Sequence, residues 1–178
     1  FKVNQAKQFV ACNSDGFVIG DAILFYLTED RFNLVGRPPA INWVRYHVEN
    51  GGYDAKAEQD ERSFVNQGRR KTFRYQVQGP HALKVIEKAT GKPTSDIKFF
   101  NMDSITVAGR PVRALRHGMV GQPGWELFGA WADGGAVRDA IMAAGEEYGI
   151  RQVGARTYPT TCLESGWIPS PLPAVYTG

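Results

Sequence analysis

Short apolar runs separated by turn residues make up the first third of the chain. Such runs predict β-strands, and they fall at residues 8–12, 17–19, 22–27 and 32–35. The run at 22–27 is apolar almost throughout, which is typical of a central strand covered on both faces. The pattern therefore predicts an antiparallel meander with one strand in the middle.

After two prolines, the spacing of apolar residues changes from two to three or four. Ile41, Val44 and Val48 fall on one helical face, proline suits the first helical turn, and a glycine pair ends the pattern. We therefore predict one helix here. Residues 53–60 alternate weakly and predict another strand, and residues 61–71 are polar and basic, as in a solvated loop.

Regular alternation returns after residue 72. The predicted elements are a strand at 73–78, a helix from 79 to about 90 with Ala82, Val85, Ile86 and Ala89 buried, a hairpin of strands at 104–107 and 112–115, a strand around residue 126, and a helix from about 135 to 148 with Val137, Ala140, Ile141 and Ala144 buried. We therefore predict an α+β fold of antiparallel sheets with packed helices. Residues 1–62 form a strand-rich opening with one helix, and residues 72–168 form an α+β subdomain.

Composition narrows the functional classes. The chain has 178 residues, 43% hydrophobic and 22% charged, which suits a globular domain with its own core. The net charge is only +3 and basic residues are scattered among acidic ones, so we expect no nucleic-acid surface. No apolar run approaches a membrane span. Two distant cysteines without histidine at ligand spacing argue against a metal site and favour a reduced, cytoplasmic protein.

The stretch at residues 115–128 carries the most chemistry. It predicts a strand, a turn with three glycines and a proline, and a second strand in which Glu126 stands between Trp125 and Leu127. A carboxylate in an apolar run is costly without a partner. That partner is either a cation or a planar pair of N–H donors, such as the amino-pyrimidinone edge of a pterin. The alternative is that Glu126 faces solvent on an alternating strand, and the pattern alone favours this alternative.

Three stretches occur in one order along the chain: Gln-Gly-Pro at 78–80, the glycine turn with Glu126, and Gly-Ala-Arg at 154–156 followed by Leu-Glu-Ser-Gly at 163–166. Together they resemble the aminomethyltransferase (glycine cleavage T-protein) superfamily. The resemblance implies a T-protein-like folate-binding fold, present in part, with tetrahydrofolate as cofactor. Members of that superfamily are longer, so we expect an internal piece of a larger protein, in which residues 169–178 begin the next segment.

Two departures from the T-protein pattern identify a subgroup. Thr157 and Tyr158 stand where T-proteins carry Asp and Ser, and the turn at 117–124 also differs. These features resemble the tetrahydrofolate-dependent aromatic O-demethylases that act on lignin-derived methoxybenzoates such as vanillate and syringate. The implied reaction is methyl transfer to N5 of tetrahydrofolate. An in-line displacement needs aligned partners and a proton or hydrogen bond for the departing oxygen.

The resemblance also implies roles for single residues. Tyr158 would bind the substrate and supply the proton or hydrogen bond for the leaving oxygen, and Arg37 would clamp the benzoate carboxylate in a two-pronged contact. Folate binding is assigned to Glu126, Gln76, Trp167, Val35 and Arg156.

Structural alternatives remain for these residues. Arg37 is otherwise an exposed surface arginine, Tyr158 a buried aromatic with a satisfied hydroxyl, and Trp167 a core or interface side chain. Arg156 is ranked lowest, and the alternatives for it are a pair with Glu164 or Glu126 or a position facing the folate tail. His117 and His47 are more simply explained as structural histidines than as acid–base groups.

Other functions of the same fold stay open. One is a different folate-dependent methyl or aminomethyl transferase, such as a T-protein or a sulfonium demethylase. Another is a folate-binding protein without catalysis. We expect a small aromatic substrate and folate as partners, no nucleic acid and no membrane, and the sequence leaves the oligomeric state open.

Overall fold

The computed structural model describes residues 1–62, 65–66, 68–94, 96–154 and 156–166. The chain divides into two compact units, of which the first contains Phe1–Gln59 and the second is Asp60–Ser165. No helix within the described residues combines the length and apolar character needed to cross a membrane.

The first unit is an antiparallel meander followed by a helix. Its elements are β1 (Gln5–Cys12), β2 (Val18–Thr28), β3 (Arg31–Gly36) and α1 (Pro38–Asn50), with the sheet order β1-β2-β3. The predicted central strand is confirmed, since Asp21 and Ala22 point to opposite faces and both are buried. The runs at 17–19 and 22–27 join into one strand. Gly20 lies inside this strand. The position favours glycine, because a Cβ there would lie 3.1 Å from the backbone nitrogen of Ala40.

The helix α1 begins at the prolines and ends before the glycine pair, as predicted. Its most buried residue is Ala40, which packs with Ala11 and Ala22, whereas the predicted stripe of Ile41, Val44 and Val48 is half-buried. Small side chains let the helix approach the sheet closely. The predicted strand at 53–60 is wrong, because these residues have no strand conformation and no partner strand among the described residues.

The second unit combines a four-stranded sheet with helices. Its elements are β4 (Thr72–Gln78), α2 (Ala82–Thr90), β5 (Met102–Val107), β6 (Arg110–Arg116), β7 (Gly124–Ala130), α3 (Gly134–Gly145) and α4 (Thr157–Ser165). The sheet order is β4-β7-β6-β5 and every pairing is antiparallel. The predicted α+β class and the hairpin are confirmed.

One face of this sheet forms the core of the unit. Alternate residues of β4 and β7 point to that face and pack against α2 and α3. The central side chains are Phe73, Val77, Trp125, Leu127, Val85, Ile86, Val137 and Ile141. The buried positions predicted for α2 and α3 belong to this cluster or pack against it.

The structure differs from the predictions at one helix boundary and in one additional helix. α2 begins at Ala82 and not at Gly79, because Gly79 adopts φ +125°, outside the helical region. α4 was not predicted at all. Its first residues, Thr157, Tyr158 and Pro159, have low helix propensity, yet proline is tolerated in a first helical turn, where its missing N–H costs no hydrogen bond.

Candidate functional site

The register between β4 and β7 places Gln76 directly opposite Glu126. Because strand side chains alternate, both point away from the face that Trp125 and Leu127 use for the core. On the other side of β7, Leu115 of β6 is the residue opposite Glu126. Two residues that are far apart in sequence are thus brought together on the face not covered by α2 and α3.

Glu126 is held by a cation. Arg74 Nη1 donates a hydrogen bond to Glu126 Oε1 at 2.5 Å, and the two side chains are only 20% and 15% exposed. The guanidinium carbon of Arg74 also lies 4.4 Å from the centroid of the Phe128 ring, in a cation–π contact. Glu126 therefore does not extend into solvent, and a cation is the partner that the structure supplies.

The carboxylate retains capacity for a further donor. An ionised carboxylate accepts about four hydrogen bonds, and Arg74 takes one of them at Oε1. Among the described residues no group donates to Oε2. The arrangement fits a planar N–H edge such as that of a pterin, beside the ion pair.

The glycine turn between β6 and β7 is tightly folded on itself. A Cβ at Gly118 would lie 1.8 Å from the backbone oxygen of Gln122, and a Cβ at Gly124 would lie 2.7 Å from that of His117. A Cβ at Gly124 would also lie 2.9 Å from the backbone oxygen of Val77, so the glycines let the turn fold tightly on itself and against β4. Val120 adopts φ +54°, which is strained for a β-branched residue, and such strain tends to occur near functional sites.

Side chains of β4 anchor this turn. Gln76 Nε2 donates to the backbone oxygen of His117 at 2.8 Å, and Met119 N donates to Gln78 Oε1 at 3.2 Å. One N–H and the side-chain oxygen of Gln76 remain for another partner, and the residue is exposed. Gln76 thus ties the turn to the strand that carries Arg74.

The imidazole of His117 lies beside this cluster. Burial lowers the pKa of His117, and the charge of Glu126 partly opposes the shift. The ring packs edge-on against Phe100 with centroids 5.3 Å apart, and Phe100 itself has a strained φ of +59°. His117 Nδ1 is buried with no hydrogen-bond partner among the described residues. A buried imidazole with a lowered pKa and an unused nitrogen is therefore within electrostatic range of Glu126.

The downstream candidates lie at the start of α4. Tyr158 is in its first turn and 36% exposed. Arg156 is exposed just before the helix, and within the part of the chain that the structure describes it forms no ion pair with Glu164 or Glu126. Trp167 lies outside the described residues. The folate and catalytic roles of these three residues stay predictions.

Arg37 and Val35 belong to the first unit. Arg37 precedes α1 with an extended backbone, φ −90° and ψ 162°, and its side chain is exposed without a partner among the described residues. Val35 is half-buried in β3, opposite Ile23. The position of Arg37 between a strand end and a helix start is as predicted, and its carboxylate-binding role stays a prediction.

Arg74 is the residue of this cluster that sequence reasoning missed. The alternation of residues 73–78 placed it on the same face as Gln76, but only the β4–β7 register reveals its contact with Glu126. Two surface cavities, of about 380 and 270 Å³, lie elsewhere, one at the end of α3 and one between α2 and β5. Neither is lined by a predicted site residue.

Comparison with known proteins points to one family. The chain is 49% identical over its whole length to syringate O-demethylase of Sphingobium sp. strain SYK-6, and covers 39% of that protein. It is 32% identical over 94% of its length to sesamin methylene transferase of Sinomonas sp. strain No.22, and covers 34% of that protein. It is 30% identical over 92% of its length to aminomethyltransferase of Saccharopolyspora erythraea, and covers 43% of that protein. The chain therefore spans about two fifths of the length of these curated relatives.

The fold has a solved counterpart. The crystal structure of glycine cleavage system aminomethyltransferase T from Bartonella henselae matches 80% of the chain with a TM-score of 0.58 at 20% identity, and the match covers 36% of that protein. This likeness confirms a partial T-protein-like fold. Residues 1–170 match the family model of the GCVT N-terminal domain. The chain thus belongs to the GCVT N-terminal domain family.

Proposed function

We propose that the protein binds tetrahydrofolate on the sheet face that carries Glu126 and Gln76, and transfers to N5 of this cofactor the methyl group of a lignin-derived methoxybenzoate. The observation that carries the binding proposal is the largely buried carboxylate of Glu126 on the strand after the glycine turn, with acceptor capacity beyond its bond to Arg74. The 49% identity to syringate O-demethylase supports the choice of reaction.

The residues present suit a pterin. Glu126 accepts hydrogen bonds from a planar N–H edge, and Gln76 offers one N–H and one oxygen beside it. The apolar side chains of Leu115 and Phe128 flank Glu126 and are buried, which strengthens hydrogen bonds made there. Bound tetrahydrofolate supplies the nucleophilic nitrogen that accepts the methyl group.

The methoxybenzoate needs two further groups. An aryl methyl ether is inert because its phenolate leaves poorly, so the departing oxygen requires a proton or a hydrogen bond. The Tyr158 hydroxyl is assigned this role. Arg37, whose guanidinium has no partner among the described residues, is assigned the substrate carboxylate, to which its planar fork is matched.

The reaction is tested by incubating the full-length protein with syringate or vanillate and tetrahydrofolate, and separating the products by liquid chromatography. We expect 5-methyltetrahydrofolate and the corresponding phenol in equal amounts. If no methoxybenzoate yields methylated cofactor, the protein is not an O-demethylase. Replacing Tyr158 by Phe should leave folate binding intact and slow turnover, whereas unchanged turnover would remove the hydroxyl from the mechanism.

A second candidate is transfer of a methylene or aminomethyl group to the same cofactor. It is favoured by the identities of 32% to sesamin methylene transferase and 30% to aminomethyltransferase. The same assay with sesamin, or with an aminomethyl donor, would then yield 5,10-methylenetetrahydrofolate and no 5-methyl product. Binding of tetrahydrofolate without a product from any donor would instead identify a folate-binding protein without catalysis.

A further inference from the structure

Arg74 reaches Glu126 along a diagonal of the sheet. Gln76 is opposite Glu126, whereas Arg74 is opposite Phe128, two residues further along β7. Diagonal neighbours on one face of an antiparallel pair are within reach of long side chains. The guanidinium lies over the Phe128 ring at 4.4 Å and donates to Glu126 Oε1. Two contacts on different atoms therefore fix the orientation of the guanidinium.

From this geometry we infer that Arg74 is a positioning residue for folate binding. It holds one carboxylate oxygen of Glu126, so that the other oxygen, Oε2, is presented to the pterin in a single orientation. It also offsets the cost of burying the charge of Glu126 among apolar neighbours. This inference rests on the proposed function, because it concerns the same cofactor.

Within the described part of the chain, the neighbouring strand β6 supplies no substitute for Arg74. Arg113 of β6 and His117, which follows β6, lie on the same sheet face as Leu115, the β6 residue opposite Glu126. Arg113 Nη1 donates to Ser104 on β5 at 3.3 Å, and burial favours the neutral form of His117. Among the described residues, Arg74 is the cation that forms an ion pair with Glu126.

Three variants test this role by calorimetry with tetrahydrofolate under anaerobic conditions, in the full-length protein. Arg74→Met should weaken binding about tenfold, since charge-assisted hydrogen bonds of this kind are the strong ones. Arg74→Lys keeps the cation and should restore affinity to within about threefold of wild type. Arg138→Met is the matched control, because it removes one exposed cation that pairs with its neighbour Asp139 on α3, and it should change nothing.

A double substitution separates positioning from a general structural effect. If Arg74 acts through Glu126, Arg74→Met should add less than about threefold to the loss caused by Glu126→Gln alone. In the turnover assay, Arg74→Met should raise KM for tetrahydrofolate and leave KM for the methoxybenzoate unchanged. A general disturbance of the fold would instead raise both constants and give an additive double variant.

The outcomes are distinct. Wild-type affinity in Arg74→Met, or equal losses in the Met and Lys variants, would overturn the inference and leave the proposed function standing. Failure of the wild-type protein to bind tetrahydrofolate would overturn the proposed function itself. If the Met variant loses its cooperative unfolding transition, Arg74→Gln replaces it. This variant keeps hydrogen-bond donors and removes the charge. Wild-type affinity in Arg74→Gln would also overturn the inference.

Discussion

The two faces of the four-stranded sheet are made by the same strands and have opposite chemistry. On the face covered by α2 and α3, Phe73 and Val77 of β4 meet Trp125 and Leu127 of β7, all buried. On the other face, the intervening positions place an ion pair and an amide side by side. Because strand side chains alternate with a period of two, adjacent residues serve stability and binding separately.

The second face is not simply polar. Met102, Leu115 and Phe128 point to it and are buried, with Leu115 fully so. Glu126 is therefore a charged group among apolar side chains, whereas β4 and β7 contribute a buried cluster of hydrophobic side chains to the helix-covered face. A carboxylate in such surroundings needs its partners, and any hydrogen bond it makes to a ligand is correspondingly strong.

The largest effect is expected on the core face. Leu127→Ala removes a fully buried side chain and should lower the free energy of unfolding by about 3 kcal/mol, from lost burial and the cavity left behind. Urea denaturation followed by circular dichroism measures it. Tetrahydrofolate affinity of the folded variant should stay at the wild-type value, and a large loss of affinity at unchanged stability would contradict the separation of the faces.

A substitution at Glu126, the residue before Leu127, should affect cofactor binding more than stability. Glu126→Gln keeps the shape of the side chain and removes its charge, so we expect tetrahydrofolate binding to weaken by about 2 kcal/mol, the range for hydrogen bonds to charged groups. Calorimetry measures the affinity, and the same urea curves serve as the control. A variant that binds as tightly as wild type would show that Glu126 is only a partner for Arg74.

A substitution in the glycine turn between β6 and β7 should have a smaller effect on stability. Gly118→Ala places a methyl group against the backbone oxygen of Gln122, which a shift of the turn must relieve, and should cost about 1.5 kcal/mol. Gly135→Ala is the control, because its Cβ meets nothing and alanine is the better helix former. It should stabilise the protein slightly. Equal unfolding midpoints in the two variants would argue against the tight turn.

The smallest effect concerns pH. Because burial lowers the pKa of His117 below its usual value of about 6.5, the unfolded state binds more protons in the interval between the two values. The stability contribution of the neutral imidazole is complete above about pH 6.5 and is lost as the pH falls toward the lowered pKa. His117→Asn should flatten this part of the profile, measured by urea unfolding between pH 7.5 and 5. An unchanged slope would show that His117 is not the group responsible for this pH dependence.

Much of the fold follows from local patterns. The alternation at residues 73–78 and around residue 126, and the three-to-four spacing in α1, α2 and α3, correspond to observed elements. Failures occurred where local signals conflict with packing. The pattern predicted separate runs on either side of Gly20, which lies inside β2 in close contact with α1, and it predicted no helix at residues 157–159, where α4 begins. In both cases a tertiary or end effect outweighs intrinsic propensity.

By itself, the sequence determined which strand positions are apolar and where the glycine turn lies, and it left open whether Glu126 faces solvent or a partner. Tertiary structure decided which partner it has. Arg74 and Glu126 are 52 residues apart, and their contact depends on the antiparallel register of β4 and β7 and on the diagonal reach of one long side chain. A shift of one residue would send every side chain of a strand to the other face, so no local pattern contains this pairing.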